Sequence, residues 1–246
     1  MDQNEGGSRS DALILATLNK DDSSVKMLSI PRDTYVYVPE RDMNTKINHA
    51  HAYGGVKATI ETVEEFLDIP VDYYVSMNFN AFIDVVETLN GINVNVEKEI
   101  QEQNSKDEPN AIHLQPGDQL LNGEEALAYA RTRKIDNDIE RGKRQQEIMK
   151  AIADKATSVK SVLKYDDLIE AVGDNMKTNM TFDEIKGLTS YLGNGKLNIE
   201  TNILEGEDSY IDGVYYFQAN EQSVANIQTE LKNHLDLSNP AAQTTN

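Results

Sequence analysis

Cysteine is absent from this 246-residue chain. That removes disulfides, thiol catalysis and Cys-based zinc sites, and leaves the compartment open. Long apolar runs are absent too. No stretch of about 18 apolar residues occurs, so none of these residues reads as a membrane span. The start, MDQNEGGSRS, is polar and lacks the apolar core of a signal peptide. Basic charge is scarce: 23 Lys and Arg face 42 Asp and Glu, for a formal net charge of −19. A broad basic face for nucleic acid is excluded on that balance, since neutralising phosphates needs clustered Lys and Arg.

What is present is an ordinary globular mixture, 39% hydrophobic and 26% charged, with enough chain to bury a sizeable core. Ala12 to Leu18 reads as a buried strand, followed by a turn at Lys20 to Asp22. Val25 to Ile30 reads as a second strand, stopped by Pro31, which has no N–H to give the ladder. Ile60, Val63, Phe66 and Leu67 have helical spacing, as do Phe82, Val85, Val86 and Leu89, with Gly91 where the second helix would end. Ile92, Val94 and Val96 alternate with Asn93, Asn95 and Glu97, the pattern of a strand with one wet face. Gln101 to Asn110 reads as an exposed loop.

Asn122 and Glu125 form a capping-box pattern that opens a helix running to about Ala130, and Thr181 with Glu184 forms another ahead of Ile185, Leu188 and Leu192. A long helix is predicted from Ile139 onward, a late strand over Asn198 to Leu204, and a last helix from Ser223. Strands interspersed with helices predict an α/β or α+β layered fold. Neither an internal repeat nor a linker divides the chain. One domain is expected over 1–237, with a disordered tail over 238–246.

The arginines are unevenly placed. They are Arg9, Arg32, Arg41, Arg131, Arg133, Arg141 and Arg144, so four of the seven crowd into one short stretch. If that stretch starts extended, Arg131 and Arg133 share a face. Arg141, Arg144 and Gln145 fall in the first turns of the long helix at spacings that let them share a face, where the helix dipole favours an anion. Arginine's planar fork suits bidentate contact with phosphate oxygens, so a phosphate or pyrophosphate ligand is indicated. The same residues also fit a solvated, salt-bridged helix start, with Asp138 as N-cap and Glu140 pairing with Arg144.

Two further segments favour the ligand reading. Arg32 and Asp33 follow the second strand, at the carboxyl end where ligands gather in open α/β sheets. Arg9 and Asp11 precede the first. The intervening turn is short enough for antiparallel pairing, which would bring Asp11 and Arg32 to one edge.

These residues fall into a recognisable series: Arg9-Ser10-Asp11-Ala12, Ser29-Ile30-Pro31-Arg32-Asp33, Ile47-Asn48-His49-Ala50 with Gly54-Gly55, Ala128-Tyr129-Ala130-Arg131-Thr132-Arg133, Asp138-Ile139-Glu140-Arg141 and Arg144-Gln145-Gln146. In order and spacing the series resembles the LytR-CpsA-Psr family over roughly residues 8–150. The resemblance implies an α/β fold of α-β-α layers, with a central mixed β-sheet and helices on both faces. It implies a membrane-anchored extracytoplasmic enzyme that transfers teichoic acid or another glycopolymer from an undecaprenyl-pyrophosphate carrier to peptidoglycan, assisted by Mg2+.

Carried over by position, Arg9, Arg32, Arg131, Arg133, Arg141 and Gln145 would hold the pyrophosphate, and Asp11 would be a metal ligand. Asp138 would be the general base or would orient the arginines; Asp33 and Asp136 would be orienting residues at most. Family members also carry a strand ending in Gly-Ile-Asp or Gly-Val-Asp just upstream of Arg-Ser-Asp. That strand, its metal-binding aspartate and the anchor are expected to lie before residue 1, and Asp2 is a poor substitute.

His49, His51, His113 and His234 lack the third partner of a zinc site and read as structural or loop residues. Tyr73, Tyr74 and Tyr215 to Phe217 fit either a lipid pocket or ordinary core. Two alternatives to the transferase use the same site: a lipid-pyrophosphate hydrolase with water as acceptor, and a module that binds the lipid carrier without turnover. A transcriptional role fits poorly with the acidity and the lack of a helix-turn-helix pattern.

Overall fold

The computed structural model describes residues 10–134, 138–158, 173–193 and 198–237. The chain forms two compact units, one of Met1–Asp72 with Asn198–Asn246 and the other of Tyr73–Leu197. Strands and helices mix in both, so the α/β expectation holds.

The first unit is organised by a hairpin. β1 (Leu13–Asn19) and β2 (Ser24–Ile30) pair antiparallel, with Leu13 opposite Ile30 and Asn19 opposite Ser24. Asn19 makes the turn: its Oδ1 accepts from the N–H groups of Asp21 at 3.0 Å and Asp22 at 3.2 Å, a local bond that replaces the ladder. β11 (Asn198–Ile203) joins the free edge of β2 in parallel, which makes the sheet mixed. With neighbours on both edges, β2 buries Met27, Leu28 and Ile30, each contributing about 1.5–3 kcal/mol of apolar burial.

Beyond Pro31, β3 (Tyr35–Val38) and β4 (Met43–Lys46) form a second hairpin that sets Tyr35 opposite Lys46. Helix α1 (Asn48–Leu67) follows at once, kinked where Gly54 and Gly55 leave helical geometry. Gly55 has φ of 64°, a conformation that a side chain would disfavour. Two backbone bonds tie the start of α1 to the loop after β2, from Ile47 N–H to Thr34 O (2.9 Å) and from Asn48 N–H to Arg32 O (3.2 Å).

A third hairpin, β12 (Gly206–Ile211) with β13 (Val214–Ala219), donates the Phe217 N–H to Asp33 O at 2.9 Å. The last helix (Glu221–His234) starts two residues before its expected position, because Asn220 accepts from the Ser223 N–H and caps it. It is pinned at its end by His234. The buried imidazole bonds to the Thr17 hydroxyl through Nδ1 (2.8 Å) and the Ser24 hydroxyl through Nε2 (2.9 Å). Burial, followed by the nearby Lys26 charge, holds its pKa below the ordinary histidine value.

In the second unit the alternating segment is β6 (Ile92–Val96), buried at every second residue and paired with β9 (Gly117–Leu121). β7 (Ile100–Glu102) pairs with β8 (Ile112–Leu114). The loop expected over Gln101–Asn110 therefore begins later, because Gln101 and Glu102 are ladder residues. Helix α2 (Phe79–Thr88) ends in a turn through Asn90 and Gly91, both at positive φ. Helix α3 (Gly123–Arg131) opens on the full Asn122–Glu125 capping box, and α4 (Asp138–Ser158) follows. Val86, Leu89, Ile92, Val94, Val96, Tyr129 and Ile148 share one core. β5 (Val75–Met77) pairs with β10 (Met176–Thr178), and the helix Phe182–Gly193 opens on the expected Thr181–Glu184 box.

Candidate functional site

The antiparallel hairpin does what the turn length predicts. It returns Asp11 and Arg32 to one edge, where Arg32 Nη1 donates to Asp11 Oδ1 at 3.2 Å. Asp33 lies under this pair. Its Oδ1 is 2.8 Å from Lys46 Nζ and its Oδ2 is 3.5 Å from Arg32 Nε. The Asp33 and Lys46 side chains are 11% and 17% exposed, whereas that of Asp11 is 66% exposed. The inner carboxylate is thus fixed and the outer one is in water.

Three buried polar atoms in this region, Ser10 Oγ, Arg32 Nε and Asn48 Oδ1, have no hydrogen-bond partner among the described residues. Buried polar groups are rarely left in that condition unless a ligand or water completes them. Arg32 in particular has its neighbour Asp33 at ion-pair distance yet keeps its Nε donor unspent.

The arginines of the second unit behave differently. Arg131 is the last residue of α3, so the stretch does not start extended and the condition for a shared face with Arg133 is not met. The helix runs on because the Thr132 N–H still reaches Ala128 O at 3.1 Å. Arg131 Nη2 donates to the carbonyls of Gln103 and Asn104, both at 2.9 Å, and its guanidinium lies 5.7 Å from the centre of the Phe79 ring. Arg144 is 6% exposed; its Nε donates to Tyr129 O at 3.0 Å and its Nη2 to Thr132 O at 2.8 Å.

Gln145 Nε2 reaches Ala130 O at 3.4 Å. Together these bonds satisfy carbonyls left open at the end of α3, which helices always leave without intrahelical partners. Arg141 is also buried, whereas Arg133 is exposed. Glu140 takes the Lys143 ammonium at 2.7 Å. Asp138 begins α4, but its side chain lies outside the described residues, as do Arg9, Asp136 and the tail 238–246.

Two ionisable groups report on this corner. Burial raises the Glu102 pKa, but bonds from Lys134, the Gln103 amide and Thr132 outweigh it and hold the carboxyl below its ordinary value. Burial and a bond to Glu147 push the Tyr129 hydroxyl far above the ordinary phenol range.

Among the described residues no group of three His, Cys, Asp or Glu is placed to hold a metal ion. Three of the four histidines bond locally: His49 to Thr45, His113 to Glu99 and Gln115, and His234 to Thr17, pinning the last helix. Phe217 is core, while Tyr73 is 47% exposed. Lys46 went unnoticed in the sequence. Its only signal there is its place directly before Ile47-Asn48, at the end of a short strand.

Asp11, Arg32, Asp33, Lys46 and Asn48 thus gather just beyond the carboxyl end of β2. The model of the LytR_cpsA_psr family matches residues 1–233, and the chain belongs to that family. It is 47% identical over 228 residues to the polyisoprenyl-teichoic acid–peptidoglycan teichoic acid transferase TagT of Bacillus subtilis (strain 168), covering 92% of this chain and 70% of that protein. Among solved structures, TagT bound to LIIa-WTA superposes with a TM-score of 0.83 at 46% identity, over 93% of this chain and 86% of that one. The family protein YwtF (TagT) with bound octaprenyl pyrophosphate lipid superposes at 0.78 and 43% identity, with coverages of 93% and 86%.

Proposed function

We propose that this protein is a phosphotransferase that attaches an anionic glycopolymer, wall teichoic acid or a similar polymer, from an undecaprenyl-pyrophosphate carrier to peptidoglycan. The observation that carries the reading is Arg32: a guanidinium at the carboxyl end of a central strand, with a buried donor unspent, in a family whose members include teichoic acid transferases. Structures of one relative, TagT, bound to LIIa-WTA and with bound octaprenyl pyrophosphate lipid, support the ligand class.

The chemistry follows from charge. An acceptor hydroxyl forms a new bond to the glycopolymer-bearing phosphorus while the bridging P–O bond breaks and the lipid phosphate leaves. Displacement at phosphorus depends on positioning and on neutralising charge as the leaving group departs, more than on covalent help. Arg32 neutralises the pyrophosphate in the first unit, and the family pattern assigns Arg9, Arg131, Arg133, Arg141 and Gln145 to the same ligand. Asp138 accepts the acceptor's proton or orients arginines. Asp11 suits magnesium as one of its protein carboxylates, since that ion commonly takes one or two carboxylates plus phosphate oxygens. When bound it supplies a second hard positive charge to the pyrophosphate.

In this reading the chemistry takes place on the outer face of the cell membrane, with an anchor holding the domain there; among the described residues no helix is long and apolar enough to cross a membrane. Incubation with lipid-linked glycopolymer, magnesium and peptidoglycan tests the proposal. Polymer covalently on the glycan is the expected product. Free polymer with released phosphate would indicate the hydrolase instead, and retained lipid with no product would indicate a binding module.

A further inference from the structure

We propose that Asp33 is a positioning residue for the transfer step, holding the Arg32 guanidinium and the Lys46 ammonium as one rigid cationic pair. The inference rests on the proposed function and adds a residue to it.

Asp33 is the buried member of the cluster, 8% exposed. One carboxylate oxygen takes Lys46 Nζ at 2.8 Å, and the other faces Arg32 Nε at 3.5 Å. Arg32 and Lys46 belong to different elements, the end of β2 and the end of β4, and Asp33 is the side chain that bridges them. Its own backbone is fixed from a third element, through the Phe217 N–H bonded to Asp33 O at 2.9 Å. On the far side of the bridge, Lys46 Nζ stands 5.7 Å from the Tyr215 ring centre and 5.6 Å from that of Tyr216.

Stability alone is a weak reason for such an arrangement. A buried ion pair loses most of its Coulomb gain to desolvation, and apolar replacements are often neutral. Asp11, the other carboxylate on Arg32, is too exposed to fix anything firmly. What Asp33 does provide is direction. With Asp11 included the four side chains carry no net charge, but the buried bridge keeps the two cations from swinging apart, so they meet charge developing at phosphorus with little reorganisation.

Removal of the Asp33 charge therefore has an unusual signature. The cations lose a competitor for the substrate's anionic oxygens, so ground-state binding is kept or tightened. They also lose their fixed geometry, so the chemical step slows. Asp33→Asn is expected to lower kcat by about 100-fold, the scale of a misplaced catalytic group, with KM no higher than before. Asp33→Glu, which keeps the charge but shifts it by one methylene, is expected to fall between Asp33→Asn and the wild type.

The test compares the three proteins by thermal melting, by kcat and KM for transfer, and by equilibrium binding of farnesyl pyrophosphate. A kcat for Asp33→Asn within threefold of wild type, or a loss carried wholly by KM, overturns the proposal. If Asp33→Asn does not fold, Asp33→Glu decides: reduced kcat at unchanged KM supports positioning, and wild-type kcat overturns it. If the wild-type protein transfers nothing, the functional reading fails by itself. Farnesyl pyrophosphate binding then reads the inference, supported by equal or tighter binding in Asp33→Asn and overturned by weaker binding.

Discussion

Two arginine-bearing regions of this chain give the same side chain different partners. Around Arg144 and Arg131 the guanidinium donors are spent on backbone carbonyls of Tyr129, Thr132, Gln103 and Asn104. Around Arg32 the partners are carboxylates, and one buried donor is held in reserve. Arg144 and Arg131 thus help to build a helix corner, whereas Arg32 stands among carboxylates just past the end of a strand.

Substitutions should break this contrast in a graded way. Arg32→Ala is expected to have the largest effect, a fall of about 100- to 1,000-fold in transfer activity, comparable to removing one charge-stabilising donor from a preorganised site. Its melting temperature should stay near wild type, since Arg32 is partly exposed and few bonds are lost. Arg144→Ala should do the reverse. It orphans buried carbonyls at the end of α3 and is expected to cost about 2–4 kcal/mol in urea unfolding. Arg131→Ala comes next, at about 1–2 kcal/mol, read most directly as faster amide exchange in the loop at Gln103 and Asn104.

A pH series sharpens the comparison outside both regions. His234 has a lowered folded pKa, so the unfolded state takes up its proton first as pH falls. Its contribution to stability is complete above the ordinary value of 6.5 and is lost as pH drops below it toward the depressed folded value. The urea midpoint should decline from pH 7 to pH 5, and the decline should be smaller in His234→Gln. Smallest of all should be Arg133→Ala, which removes an exposed side chain and should change stability by less than about 0.5 kcal/mol.

Much of this arrangement was legible where the determinants are local. The turn at Lys20–Asp22 was short enough to force antiparallel pairing, and the pairing alone brought Asp11 to Arg32. Capping boxes at Asn122 and Thr181, and the alternation in β6, were readable because each bond spans three residues or one pleat. Failures came where the partner is remote. The sequence reading ends α3 at about Ala130, one residue short of Arg131, because nothing adjacent announces that Arg144 will satisfy its last carbonyls. Lys46 was missed because β3 and β4 are four residues each, and its partner Asp33 is reached only after they fold back. The boundary between the units was hidden for the same reason, since the first unit resumes at Asn198 after a long excursion.

The central claim is that Arg32 is held for a pyrophosphate and not for the fold. Equilibrium binding of farnesyl pyrophosphate to wild-type and Arg32→Ala protein, with melting curves on the same samples, tests it most directly. The account predicts affinity weakened by at least about tenfold at an unchanged melting temperature, the loss of one charge-assisted contact. Equal affinities in two equally stable proteins would contradict it.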